Sequence, residues 1–248
     1  MTSNNTLNLS TETIGVLKSF AGIQSNIVFT GGNTVQTMGE TKTILASAQI
    51  TETLPEAQIG IFDLPEFLGV LNMFSDPTLR FDDNFNYVDV FEGSNSVRYY
   101  LSDPSMLTYP KKQIQLPSTD LTFSLSKQEL ASVRKASSVL SAPDMVVSSQ
   151  KGADMVDITV TDIENPTSNT FNIELPEDRF TKASDSTFSF IFKVANLNKM
   201  IGNEDYDVQV SQKMFSHFQS RGSSGIQYWV ALYKDSQYSA DSESTTAA

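Results

Sequence analysis

Apolar positions along this chain recur with two periods, one of about two residues and one of about 3.6, and they divide it into strand-like and helix-like stretches. The clearest helical stretch is SKQELASVRKASSVL, Ser126–Leu140. Ser126 and Glu129 have the S-x-x-E spacing of a capping box, which satisfies two orphan backbone donors where a helix starts. Leu130, Val133, Ala136, Ser137 and Leu140 then fall on one side of the helix, and Lys127, Arg134 and Lys135 on the other. Ala131 and Ser138 lie between them, and no acidic residue shares the outward face. For one helix taken alone, a solvated face explains this as well as an anionic partner does.

The pattern occurs twice. When LNLSTETIGVLKSFAGIQSNIVF is slid so that Ser10 falls on Ser126, Ile14 meets Leu130, Leu17 meets Val133, Lys18 meets Arg134 and Ala21 meets Ser137. At a slightly larger offset, IGIFDLPEFLGVLNMFSDPTLRF falls on FSFIFKVANLNKMIGNEDYDVQV, matching Phe62, Leu64 and Phe67 to Phe192, Val194 and Leu197. Both members of this second pair read as strand, short helix, strand. Repeats this long point to a duplicated domain and not to a solenoid.

Between these landmarks the pattern is that of antiparallel strands. NIVFT, TVQTM and KTILASAQI are bounded by turn residues, as are TLRF, YVDVF and SVRYYL further on. Asp63 caps a helix with Pro65 in its first turn. Residues 102–119, SDPSMLTYPKKQIQLPST, hold three prolines and read as an extended connector. Its apolar residues Met106, Leu107, Tyr109, Ile114 and Leu116 suit a segment laid across a surface. In the second half DMVDITVTD, TFNIEL, STFSFIF, YDVQVSQ, SHFQSR and IQYWVALY repeat the strand programme. A short helix is expected at Val194–Ile201, with Gly202 as its stop. The expected divisions are a first domain over 1–101, the connector over 102–119, a second domain over 120–236 and a disordered acidic tail over 237–248.

Composition removes several function classes. The 248 residues carry a formal net charge of −12, so attraction to nucleic acid or to an anionic membrane has to be local. There is no cysteine, and His217 is the one histidine, which leaves no donor set for an ordinary zinc site. Asp82-Asp83-Asn84 between strands reads as turn chemistry, and Gly31-Gly32-Asn33 leads into a strand, unlike a phosphate loop. No nucleophile, base and orienting partner assemble, so no enzyme activity and no cofactor is expected. The start, MTSNNTLNLSTE, lacks the basic region and apolar core of a secretory signal, and the longest apolar run is too short for a membrane span.

In their order and spacing, LSTETIGVLKSFAGIQS, IGIFDLPEFLGVL, the connector's DPS with Pro110 and Lys112, FSFIFKVANLNKM and YWVALYKDS resemble the T4-type bacteriophage DNA sliding clamps (polymerase processivity factors). The matching pieces run from Leu9 to Ser236. The departures are a longer N-terminus, a longer acidic tail and a different loop near Glu177–Ser186. The resemblance implies an α+β fold of duplicated DNA-clamp domains, with antiparallel sheets outside and short helices lining a central hole. It further implies a homotrimer around duplex DNA that tethers the phage DNA polymerase, is loaded by an ATP-dependent clamp loader and supports late transcription through RNA polymerase factors. Such a protein acts in the cytoplasm of the infected bacterial host, with no membrane partner. Lys18, Lys127, Arg134, Lys135, Lys193 and Lys199 are the expected DNA-facing cations, because a ring that slides needs weak, sequence-independent attraction to phosphate.

The family's layout also suggests where copies and partners meet. Ring closure is expected to join the edge strands holding Val97, Tyr99 and Leu101 in the first domain and Phe171, Ile173 and Leu175 in the second. A partner groove is expected from Tyr109, Ile114 and Leu116 of the connector with Tyr228, Val230 and Leu232 of the terminal strand; the same residues would equally serve to pin the connector to the core. The alternative is a phage structural or assembly protein with a duplicated β-rich domain and no DNA function. That reading accounts for the acidity but leaves the one-signed helix faces to accident.

Overall fold

In a computed structural model of the chain, residues 6–112 and 115–239 are described. The chain divides into two units, Met1–Gln113 with Ser224–Gln227, and Ile114–Ser223 with Tyr228–Ala248. The division falls inside the connector anticipated over 102–119.

The first unit runs β1 (Thr6–Asn8), α1 (Thr11–Ala21), β2 (Ile27–Phe29), β3 (Gly32–Met38), β4 (Ile44–Leu54), β5 (Ile59–Ile61), α2 (Leu64–Leu71), β6 (Thr78–Phe81), β7 (Tyr87–Glu92) and β8 (Asn95–Tyr100). Ser10 caps α1 by accepting from the Thr13 amide at 3.2 Å, and Asp63 caps α2 by accepting from Glu66 at 2.8 Å. The helices form where the 3.6-residue period predicts. α1 buries Val16, Leu17 and Phe20, while α2 buries Leu64, Phe67, Leu68 and Leu71. At roughly 1.5–3 kcal/mol for each large side chain removed from water, these faces, more than helix propensity, hold two such short helices in place. α1 packs on α2 and β4, and α2 meets Tyr99 of β8, the edge of a sheet of order β1-β6-β7-β8 whose buried residues include Leu79, Phe81, Val88 and Val90. β3 and β4 form a hairpin, and β2 pairs with β5. The connector begins against β5, where Gly60 bridges Ser102 so closely that a side chain at position 60 would strike the Ser102 carbonyl.

The second unit runs β9 (Leu121–Leu125), α3 (Lys127–Leu140), β10 (Asp144–Ser149), β11 (Met155–Thr161), β12 (Phe171–Pro176), β13 (Phe180–Lys182), β14 (Thr187–Lys193), α4 (Val194–Leu197), β15 (Tyr206–Ser211), β16 (Phe215–Ser220), β17 (Gln227–Ala231) and β18 (Gln237–Ser239). Its strands β9-β15-β16-β17 lie side by side in the same order as β1-β6-β7-β8, with β13 added outside β9. In both units the strand before the first helix pairs with the strand after the second helix. The duplication read from two sequence offsets is therefore a duplication of topology. A further sheet has the order β12-β11-β10-β14-β18.

Three details depart from the sequence reading. α4 ends at Leu197 and not at Ile201, because the amides of Lys199 and Met200 bond three residues back, to Asn196 and Leu197, which tightens the chain out of the α-helix. Among the described residues the connector holds a 3-10 turn at Pro104–Met106. The stretch expected as a tail from 237 onward begins as β18, which pairs with β14. Tyr238 there stacks on Phe190 with ring centroids 6.1 Å apart, and that contact with apolar surface orders the strand; residues 240–248 lie outside the described residues.

Candidate nucleic-acid interface

The helix that carries half of the expected DNA-facing cations, α3, is anchored at its start. At its N-terminus Ser126 and Glu129 complete the capping box, the Ser126 amide donating to the Glu129 carboxylate at 2.8 Å. Asp205 accepts from the Lys127 amide at 2.7 Å. Arg179 closes on Glu129 as a bidentate pair of 2.7 and 2.8 Å, and its Nη2 also reaches the Ser124 carbonyl. Burial pushes the Glu129 carboxyl up, but the hydrogen bonds from Arg179 and Ser126 outweigh it and bring the group down to about 2. α1 is tied to the sheet in a similar way. Glu52 on β4 accepts from the Ser10 amide and from the Thr13 hydroxyl, and these bonds hold it below the usual carboxylate range against the opposing effect of burial.

From these fixed helices, Lys18 on α1 and Lys127 and Lys135 on α3 project into solvent, and Lys199 just beyond α4 is half-exposed. Two of the expected DNA-facing cations are placed otherwise. Arg134 turns along the protein: its Nη2 donates to the carbonyls of Leu197 and Met200, the latter at 2.9 Å, and so caps the end of α4. Burial among these groups lowers its pKa. Gly202 leaves the room for this guanidinium, since a Cβ there would collide with Nη1; that is its role, in place of the left-handed helix stop expected. The same turn is held by Tyr206, whose hydroxyl donates to the Ile201 carbonyl at 2.7 Å, and by Tyr228, whose hydroxyl accepts from the Ile201 amide at 3.2 Å. Lys193 is committed as well. Its Nζ lies 2.7 Å from the buried Asp144 carboxylate and 3.9 Å from the centre of the Tyr233 ring. Asp144 offsets the charge of Lys193 and the Tyr233 ring covers it, which directs this cation along the protein.

Among the described residues the expected contact strands are both sheet edges, β8 bordering β7 alone and β12 bordering β11 alone. Val97, Tyr99 and Leu101 are half-buried; Tyr99 donates to the Asp63 carbonyl at 3.1 Å and meets Phe67 edge-on, so its ring braces β8 against α2. Of the other edge, Phe171 and Ile173 are half-buried and Leu175 is fully buried. Exposed apolar side chains flank the two edges. Tyr100 (72% exposed) lies on β8, with Phe62 and Met73 (each 68%) at the two ends of α2, and Val139 (72%) lies on α3. Val139 lines a cleft of about 440 Å³ with Ala136, Leu140 and Phe171.

The expected partner groove does not form as an open apolar surface. Tyr228 and Val230 are fully buried and Leu232 is 7% exposed, because β17 turns these positions into the core of its unit. Ile114 lies outside the described residues and Leu116 is half-buried. Tyr109 instead lines a polar cleft of about 380 Å³ with Gln36, Gln58 and Lys111. The pairing of Arg179 with Glu129, the capping role of Arg134 and the Val139 cleft were not anticipated from sequence. Each joins residues distant in the chain, and only the one-residue stop at Gly202 hinted at any of them.

No family model matches the chain. It is 28% identical over 229 residues to the sliding clamp of Vibrio phage KVP40, covering 91% of this chain and 98% of that protein. It is 24% identical to the sliding clamp of Escherichia phage RB69, covering 94% and 99%, and 23% identical to that of Enterobacteria phage T4, covering 79% and 85%. The chain resembles the T4-type sliding clamps along nearly its whole length. Among solved structures, the sliding-clamp fold is matched by the proliferating cellular nuclear antigen of Entamoeba histolytica, with a TM-score of 0.69, 14% identity and coverage of 92% and 98%. The A. fulgidus PCNA bound to the C-terminal region of FEN-1 gives a TM-score of 0.68 at 12% identity, covering 94% of this chain and 99% of that one.

Proposed function

We propose that this chain assembles head to tail into a homotrimeric ring, encircles duplex DNA and tethers the replicative DNA polymerase of its phage. The observation that carries the reading is the pair of open edge strands, β8 in one unit and β12 in the other, each flanked by exposed apolar side chains. A heterologous contact between two such edges propagates from copy to copy and closes when the rotation fits. It also covers strands that would otherwise invite aggregation. The solvent-facing lysines Lys18, Lys127, Lys135 and Lys199 then face the hole, and the acidic remainder of the surface keeps the ring from adhering to DNA elsewhere. Retention comes from topology, so the polymerase stays near the template through effective concentration and not through a tight grip.

A clamp loader, and late-transcription factors acting with RNA polymerase, are further partners of this reading, and the connector around Tyr109 is where their peptides would dock. Light scattering together with retention on circular DNA tests the central claim. A trimer that loads onto circular duplex and escapes once the circle is cut supports it. A monomer at all working concentrations, or equal retention on cut and uncut circles, refutes it.

A further inference from the structure

The outward cations on and just beyond the helices are divided unevenly between the two units. α1 offers Lys18 alone, against Glu12, and α2 offers Glu66 and no cation. In the second unit Lys127 and Lys135 stand out from α3 and Lys199 from the turn after α4, while the acidic residue of α3, Glu129, is neutralised by Arg179. The bond from Arg134 to the Leu197 carbonyl fixes α3 to α4, so the three lysines sit on one rigid support. The first unit shows the converse. Gly15 on α1 and Gly69 on α2 occupy exposed helical positions where a Cβ would meet nothing within 4 Å, so packing does not require glycine at either place.

We infer that the phosphate contact of the sliding ring is carried by the second unit, through Lys127, Lys135 and Lys199, and that the helices of the first unit pass the duplex without gripping it. The inference rests on the clamp reading and deepens it. A trimer built this way presents gripping and smooth segments in alternation, so its hold on the duplex is threefold although its topology is sixfold. Lys18 alone cannot make the segments equal, since Glu12 shares its helix.

The test is the salt dependence of binding to a short linear duplex, measured by fluorescence anisotropy on the full chain and on variants whose size and melting match it. Removing one lysine–phosphate interaction should flatten the slope of log K against log salt by about 0.9. The variant Lys127→Ala/Lys135→Ala/Lys199→Ala should flatten it strongly, and Lys18→Ala by less than a third as much, the share that one of four equal contacts would have. The variant Gly15→Lys/Gly69→Lys, for which there is open space, should steepen it and slow diffusion along stretched DNA. A slope unchanged in the triple variant, or flattened by a third as much or more in Lys18→Ala, overturns the inference, as does an unchanged slope after lysines are added at 15 and 69. Equal retention of the unaltered chain on circular and linearised duplex would instead defeat the clamp reading itself.

Discussion

Replacing Arg134 separates a structural cation from a DNA-binding one. Arg134→Ala removes two charge-assisted hydrogen bonds, to the carbonyls of Leu197 and Met200; the Met200 carbonyl loses this donor, while the Leu197 carbonyl keeps only the Met200 amide. At about 1.5 kcal/mol for each bond to a charged group, the loss is about 3 kcal/mol. Loss of the packed aliphatic stem adds to it, and Arg134→Met, which retains most of that stem, isolates the hydrogen-bonding part. With about 2–4 °C per kcal/mol for a protein of this size, the melting temperature should fall by roughly 6–12 °C. Calorimetry on both variants gives the shift, and anisotropy against duplex DNA at stepped salt gives the phosphate contacts. A melting temperature within a degree or so of the unaltered chain, with a flatter salt dependence, would show that the guanidinium works on phosphate and would refute the assignment.

Gly202→Ala should act on the same bracket, since its methyl displaces the guanidinium; overpacking of this kind costs roughly 1–3 kcal/mol and denaturant melts will report it. Gly15→Ala should do the reverse and stabilise by about 0.5–1 kcal/mol, because the position is helical and open. The carboxyl of Glu129 has a folded pKa of about 2, below its ordinary 4.5, so the stability it lends is present above 4.5 and is lost as pH falls toward 2. Arg179→Met should remove most of that acid limb from a plot of melting temperature against pH, and an unchanged limb would show that the pair is idle. Val139→Glu with Phe171→Ala should give smaller particles by light scattering at unchanged circular dichroism, since both residues line the cleft beside the β12 edge; an intact trimer would move the subunit contact elsewhere.

What the sequence displayed was what local spacing encodes. The capping box at Ser126 and Glu129, the cap at Asp63 and the inward faces of α1, α2 and α3 all depend on residues within a turn or two of one another. The duplication was visible for the same reason, since the same local pattern recurs. The destinations of long polar side chains were not legible. Arg134 and Lys135 are neighbours of like charge, yet one bends back to carbonyls of a different helix while the other faces solvent. Lys193 ends a strand, and its partner Asp144 starts another that only the sheet brings alongside. The parity of β17 was equally hidden. Tyr228-Trp229-Val230 is apolar at every position, so no alternation tells which side faces the core.

The ties at the starts of the two long helices bear on how the protein opens. An isolated short helix frays from its ends, and its first amides exchange with solvent quickly. Here the amides of Ser10 and Lys127 are donated to Glu52 of β4 and to Asp205 just before β15, and the Glu129 cap is clasped by Arg179 from the segment leading into β13. Neither helix can begin to unwind without breaking a bond to a distant segment of its own unit. Hydrogen exchange at the first turns of α1 and α3 should therefore keep pace with the neighbouring strands, making each helix and its sheet one cooperative unit.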